Sequence, residues 1–465
     1  MAGHLAARQS VLSRISPLTG SRISVGFALI AALWLTVASV HGAVIALIAA
    51  LAVVVCGYVG RVLAGLRTVP AVEWGQAGCG MVAEFLVYAG IGTAASVHRV
   101  LPAGLAGTPA AGLGGPGSAG VWHLALAAAI LTLVTAMTDL CVHGSVPDGS
   151  RLRLFGPPGD VRLPLACLAV LLFGARAGLL VVLVLGVAAL GVVIVDGTSQ
   201  GGERSELRGY RGDGRISVWI GSWVGGRVPP LAPLFVGLLV TGVLTALGLG
   251  NLPRILLLTP VEAMLLAAFA SWHPHDGRSD WLVPPLIQTA EYVFIAEIGF
   301  AGHVWPPLTF AVVAAVGLRH LDLAYRVRGG LATGVDRRGL GWEGRMIVVG
   351  AVAAVGIAPF GYVALGLYLW WRLTRDWMIG WSTRLMSRTL HGRSAAEDLP
   401  ARYYAAIWVA YGLAPVSCHR PPCTAAGWPA SLRCPPAGRC WSPSLAPTTF
   451  TSSGARSPLS ATVWR

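Results

Sequence analysis

Residues 163–195 read LPLACLAVLLFGARAGLLVVLVLGVAALGVVIV, and the fold turns on where that run is cut. A helix crossing a bilayer needs about 20 apolar residues, and this run is too long for one. Read as a single span it would also bury Arg176 in hydrocarbon, at roughly 2.5–3.5 kcal/mol on insertion scales. Cutting at residues 174–178 gives two helices with Arg176 at the turn. Working outward, apolar runs at 25–40, 43–60, 78–97 and 121–140 bring the first half to six spans. Beyond a polar stretch, further runs fall at 231–249, 255–272, 282–300, 304–318 and 346–371. The last is interrupted by Ala358-Pro359-Phe360-Gly361 and reads as one kinked span or a re-entrant pair. The expectation is an all-α, polytopic integral membrane protein of about 11–12 transmembrane helices in two modules.

Composition supports that class. Hydrophobic residues make up 55% of the 465 and charged residues 12%, against roughly 25% charged in a soluble domain. The net charge is +14, and all 34 basic side chains are arginine. They sit between apolar runs, not on one polar face, which argues against nucleic acid and for the positive-inside rule. Arg8, Arg14 and Arg22 place the N-terminus in the cytoplasm. Arg61, Arg67, Arg151, Arg153 and Arg162 follow even-numbered spans, and the loop from Arg319 to Arg345 is the most basic of all. These agree on an inner (plasma) membrane protein with a cytoplasmic N-terminus. Anionic lipids are the natural partner, and the sequence admits a homodimer. Trp370, Trp371, Trp377 and Trp381 read as an interfacial belt.

The sequence divides into an N-terminal tail (1–24), a six-helix module (25–196), a basic cytoplasmic linker (197–228), a second membrane module (229–414) and a tail (415–465). The tail has no acidic residue and no hydrophobic period, and reads as disordered or as GC-rich DNA translated in a shifted frame. Cys418, His419, Cys423, Cys434 and Cys440 lie there as conceivable zinc ligands, but without a C-x-x-C knuckle. His273, His275 and Asp276 read as a loop before they read as a metal site.

Pro70, Trp74 and the run from Glu84 to Gly90 (EFLVYAG), with the Gly156-Pro157-Pro158-Gly159-Asp160-Val161-Arg162 turn, carry a resemblance over residues 20–196. They are similar to CDP-alcohol phosphatidyltransferases. That family's signature has four aspartates that hold divalent metal. Cys56-Gly57 through Arg61 keeps the glycine and arginine, but the four aspartate positions fall at Val53, Cys56, Trp74 and Gly78. The first aspartate of the chain is Asp139, and before it only Glu73 and Glu84 are acidic. Mg²⁺ requires carboxylate oxygens. The resemblance therefore implies a scaffold without the family's chemistry, leaning away from an enzyme, and no cofactor is expected.

In the second half, Arg319-His320-x-Asp322-x-x-Tyr325-Arg326 and Gly341-Trp342-Glu343-Gly344-Arg345 stand out in a chain that avoids charge. They resemble an actinobacterial membrane domain, domain of unknown function 5941, over residues 214–381. The resemblance implies fusion to a CDP-alcohol phosphatidyltransferase-like half and assigns no activity. Arg319, Asp322 and Arg326 share a helix side at spacings of three and four. With Arg345 they form a candidate lipid-phosphate site, with Glu291 deeper and His320, Tyr325, Trp342 and Glu343 around it. Arg372 and Arg375 serve as a reference pair expected to be silent. No metal site is expected, and no catalytic residue can be named. The function read from sequence is an auxiliary membrane component recognising an anionic lipid or a polyprenyl phosphate. The alternative is a lipid-phosphate or phospho-alcohol transferase using the inner-face site, for which Mg²⁺ would be required. The third class is a transporter. A solvated helix end held by local salt bridges remains the plain reading of the arginines.

Overall fold

The computed structural model describes residues 17–37, 39–65, 70–97, 119–143, 161–199, 207, 210–246, 254–273, 277, 279–328 and 340–391. The N-terminal tail, the 415–465 tail with its cysteines, and His275 and Asp276 lie outside them. So do most of the glycine-rich stretch at 101–118 and of the basic loop at 329–339.

The described residues are mostly helical, joined by turns and short irregular stretches. Helices α1 (Pro17–Thr36), α2 (Val40–Gly65), α3 (Pro70–Val97), α4 (Ala119–His143), α5 (Arg162–Phe173) and α6 (Ala175–Ser199) make up the first half. Helices α7 (Arg215–Val224), α8 (Leu231–Ala246), α9 (Thr259–Leu265), α10 (Val283–Ala301), α11 (Pro306–Arg328), α12 (Trp342–Val355) and α13 (Ala358–His391) make up the second. The chain is an all-α, multi-pass membrane protein. Among the described residues, six helices are long and apolar enough to cross a bilayer: those spanning 19–36, 40–60, 74–96, 120–143, 175–199 and 306–328. The other expected spans are helices that are shorter or more polar.

The run that opened the sequence reading divides where its glycine allows. Helix α5 ends at Phe173, and Gly174 turns the chain at φ +91°, in space open enough for a side chain but in a conformation that favours glycine. A second break falls at Gly356 (φ +85°), two residues before the Pro359-containing segment. Pro359 then sits at the start of α13, where its missing N–H costs nothing. The expected span at 255–272 is not one α-helix. It runs as a 3₁₀ turn (Arg254–Leu258), α9, and a second 3₁₀ turn (Leu266–Ala270).

Small residues let the backbones close. A methyl added to Gly90 of α3 would lie 2.7 Å from Ala32 Cα of α1, and one on Gly20 would lie 2.9 Å from the Cys56 carbonyl oxygen of α2. Close approach of this kind supplies van der Waals packing where lipid offers no hydrophobic gain. In α11, 83% of the apolar window is buried, against 33% in α1, α2 and α6. Helix α11 is therefore the axis of the bundle, and α1, α2 and α6 present side chains such as Leu33, Ile48, Val55, Val184 and Val187 outward. The two sequence halves meet around that axis. Phe310 of α11 packs edge-on to Phe85 of α3 and Trp122 of α4, and His123 stacks on Phe300 of α10 at 3.6 Å. The described residues all fall within one contact unit.

Candidate functional site

The polar residues singled out from the sequence converge in the second half, but as three networks instead of one. The deepest joins α10, α11 and α12. Glu291 is fully buried and accepts Arg345 Nε at 2.5 Å on one oxygen and Arg345 Nη2 at 3.1 Å on the other. The same guanidinium donates from Nη1 to the Leu340 carbonyl at 2.5 Å and from Nη2 to His320 Nε2 at 2.7 Å. A guanidinium can only donate. His320 Nε2 accepts from Arg345 and also stands 3.3 Å from the Glu291 carboxylate, while Nδ1 shares a hydrogen bond with the Tyr292 hydroxyl at 2.8 Å. Glu291 is the ninth residue of the 19-residue α10 (Val283–Ala301), so the pair lies about 12 Å along that helix at 1.5 Å per residue.

The second network explains the Gly-Trp-Glu-Gly-Arg motif. Helix α7 begins at Gly214, which has no side chain to cap it. Glu343 supplies the cap from another helix, accepting Gly214 N–H and Ser217 N–H at 3.1 Å each. A carboxylate at a helix N-terminus also meets the positive end of the macrodipole. Burial pushes the Glu343 carboxyl above its usual range, and the two amides pull it back. Gly341 passes Gly214 so closely that a methyl on it would lie 2.1 Å from Gly214 N. Trp342 Nε1 donates to Asp213 at 2.8 Å, and Asp213 is paired with Arg211 at 3.0 Å. Arg211 in turn donates to the Ala267 and Ala270 carbonyls at 2.6 and 2.9 Å. Those carbonyls belong to the 3₁₀ turn that replaces a regular helix, and a buried carbonyl must be paired. The stretch drawn from sequence as a basic linker thus holds a buried arginine, 2% exposed, and a helix.

The third network lies where α11 meets α13. Arg319 reaches Asp376 at 2.5 Å and Asp322 at 3.4 Å. Arg326 donates from Nε to Asp322 at 3.0 Å and from Nη2 to the Asp376 carbonyl at 2.8 Å. Arg372 stands 3.6 Å from Asp376, beyond hydrogen-bonding distance, and is 8% exposed. Its Nε–H and that of Arg375 are buried without a hydrogen-bond partner. The Arg375 guanidinium lies 5.4 Å from the ring centre of Trp371, which is 52% exposed.

The expected cluster is therefore divided. Arg345 and Glu291 belong to the buried core and not to a grip shared with Arg319 and Arg326. Those two arginines are committed to aspartates. Tyr325 is half-buried and packs at the edge of the core. Sequence reasoning missed Asp376, Arg211, Asp213 and Tyr292, and it cast Arg372 and Arg375 as silent. The Arg372/Asp376 spacing of four residues was the available signal. Among the described residues, no three His, Cys, Asp or Glu side chains gather as a metal would need. Val53 and Trp74, two positions where the expected signature would need aspartates, are buried apolar side chains, and Glu84, outside those positions, is buried with its carboxylate accepting the Tyr88 hydroxyl at 2.9 Å.

Residues 206–368 match a family described as Family of unknown function (DUF5941). The matched segment covers α7 to α12 and the first turns of α13, and so contains all of the first two networks and the α11 half of the third. No curated protein and no solved structure matches the chain.

Proposed function

We propose that this chain is an auxiliary membrane component that holds the phosphate of an anionic lipid or polyprenyl phosphate where α11 meets α13. The observation that carries the reading is the buried, unpartnered Nε–H of Arg372, with that of Arg375 one turn away. Buried polar groups are nearly always satisfied. A guanidinium edge left open beside an exposed interfacial tryptophan suits a phosphate oxygen, which accepts charge-assisted, often bidentate bonds. Arg319, Asp322, Arg326 and Asp376 form the frame that aims it, and Arg326 is the frame residue nearest the surface, its side chain 23% exposed. In this reading the site lies at the inner leaflet of the plasma membrane, with the N-terminus cytoplasmic, as the arginine distribution implies. The first half is a CDP-alcohol phosphatidyltransferase-like scaffold without the family's metal site.

The test is native mass spectrometry of lipid retained by three proteins purified alike: wild type, Arg372→Gln/Arg375→Gln, and the charge-matched Arg22→Gln/Arg176→Gln. Two charge-assisted contacts at about 1.5 kcal/mol or more each correspond to roughly a 10²-fold loss of anionic-lipid affinity. That loss is expected for the first variant alone. Equal retention by both variants and wild type would show that these arginines only orient the helix.

A further inference from the structure

Helix α7, Arg215–Val224, is 10 residues long, about 15 Å, so it cannot cross a hydrocarbon core of about 30 Å. Its two faces differ sharply. Ser217 is fully buried and Gly221 faces inward, whereas Ile216, Trp219 and Trp223 are 39%, 57% and 67% exposed at spacings of three and four. Trp272, 56% exposed, lies against the same helix and donates its indole N–H to the Val218 carbonyl at 3.0 Å.

The buried face is fastened. Ser271 Oγ donates to the Ser217 carbonyl at 2.8 Å, and a methyl on Gly221 would lie 2.1 Å from that hydroxyl. Glu343 holds the N-terminus. Gly225 and Gly226, at φ +60° and +77°, close the C-terminus and lead by a short turn to α8 (Leu231–Ala246), a strongly apolar helix. Trp219 and Trp223 meet edge to face at 4.2 Å. The indoles are thus held outward on a rigid mount, beside the strongly apolar helix α8. Arg215 and Arg227 flank the stripe and are exposed.

We propose that α7 is an interfacial helix, lying in the plane of an anionic leaflet with Trp219, Trp223 and Trp272 at the boundary between headgroups and acyl chains. An indole has an apolar body and a polar N–H, which suits that boundary. The flanking arginines are at headgroup level, where anionic phosphate complements them. Continuity with α8 favours lipid over a second protein as the occupant, because the patch and that strongly apolar helix are joined without an intervening domain.

The experiment uses the full chain in nanodiscs of equal parts phosphatidylcholine and phosphatidylglycerol. Phospholipid carrying a photoreactive group near the headgroup, or at the end of the acyl chain, is added in parallel, and labelled peptides are mapped by mass spectrometry. The peptide containing Trp219 and Trp223 should be labelled by the headgroup-proximal probe and not by the chain-end probe. Trp219→Ser/Trp223→Ser should lose that label with an unchanged detergent melting temperature, since both side chains are already exposed. Absence of label, labelling mainly from the chain end, undiminished label in the variant, or cross-links joining two copies through this peptide would each overturn the proposal.

Discussion

Arg345→Met should be among the most damaging single changes in the second half. Arg345 is 1% exposed and Glu291 0%. The substitution removes both donors to that carboxylate, at 2.5 and 3.1 Å, together with the bonds to the Leu340 carbonyl and His320 Nε2. What remains is a fully buried carboxylate with His320 Nε2 3.3 Å away beside it. Removing one partner of a buried pair costs about 3–5 kcal/mol, because the other charge is left uncompensated, whereas replacing both by apolar or neutral groups of similar size is often close to neutral. Glu291→Gln/Arg345→Met should therefore be more stable than Arg345→Met alone. The sign of that difference separates a charge left stranded from packing simply lost. The assay is unfolding by sodium dodecyl sulfate in mixed micelles, read by tryptophan fluorescence, for wild type, both single variants and the double variant. A single Arg345→Met variant within about 0.5 kcal/mol of wild type, the range of an ordinary surface change, would refute the reasoning. So would a double variant less stable than the single.

Two other changes test the elements around that core. Glu343→Leu leaves the Gly214 and Ser217 N–H groups without an acceptor. It should cost about 2 kcal/mol or more, and Glu343→Gln, which keeps an acceptor oxygen, should cost less in the same titration. Gly90→Ala places a methyl 2.7 Å from Ala32 Cα and should cost about 1–3 kcal/mol by overpacking, whereas Gly26→Ala meets nothing within 4 Å and should not destabilise.

Much of the architecture was legible because the membrane restricts the alternatives. Apolar runs that long have few ways to satisfy their backbones except as helices, and Gly174 with Arg176 marked the cut in the 163–195 run. The break near 357 was also visible, although the turn is made by Gly356 and not by Pro359. The 3₁₀ turn at residues 266–270 was not legible, since Arg211, distant in sequence, takes its Ala267 and Ala270 carbonyls. A carboxylate inside an apolar run marked Glu291 as a residue that needs a partner. Sequence could not say which partners. Arg319 meets Asp376 across 57 residues, and Arg345 meets Glu291 across 54. Those pairings divide the expected cluster between separate networks, and the Nε–H of Arg372, a residue cast as a bystander, is buried without a hydrogen-bond partner.

The proposed phosphate site depends most heavily on the buried, unpartnered Nε–H of Arg372. Its most direct test is an experimental structure of the full chain in nanodiscs containing phosphatidylglycerol, read at the junction of α11 and α13. The account predicts a lipid phosphate with an oxygen about 2.7–3.2 Å from the Arg372 or Arg375 guanidinium, with Arg319 and Arg326 still on Asp322 and Asp376. Ordered lipid elsewhere on the protein, with that edge of Arg372 turned onto a protein carbonyl or carboxylate, would contradict it.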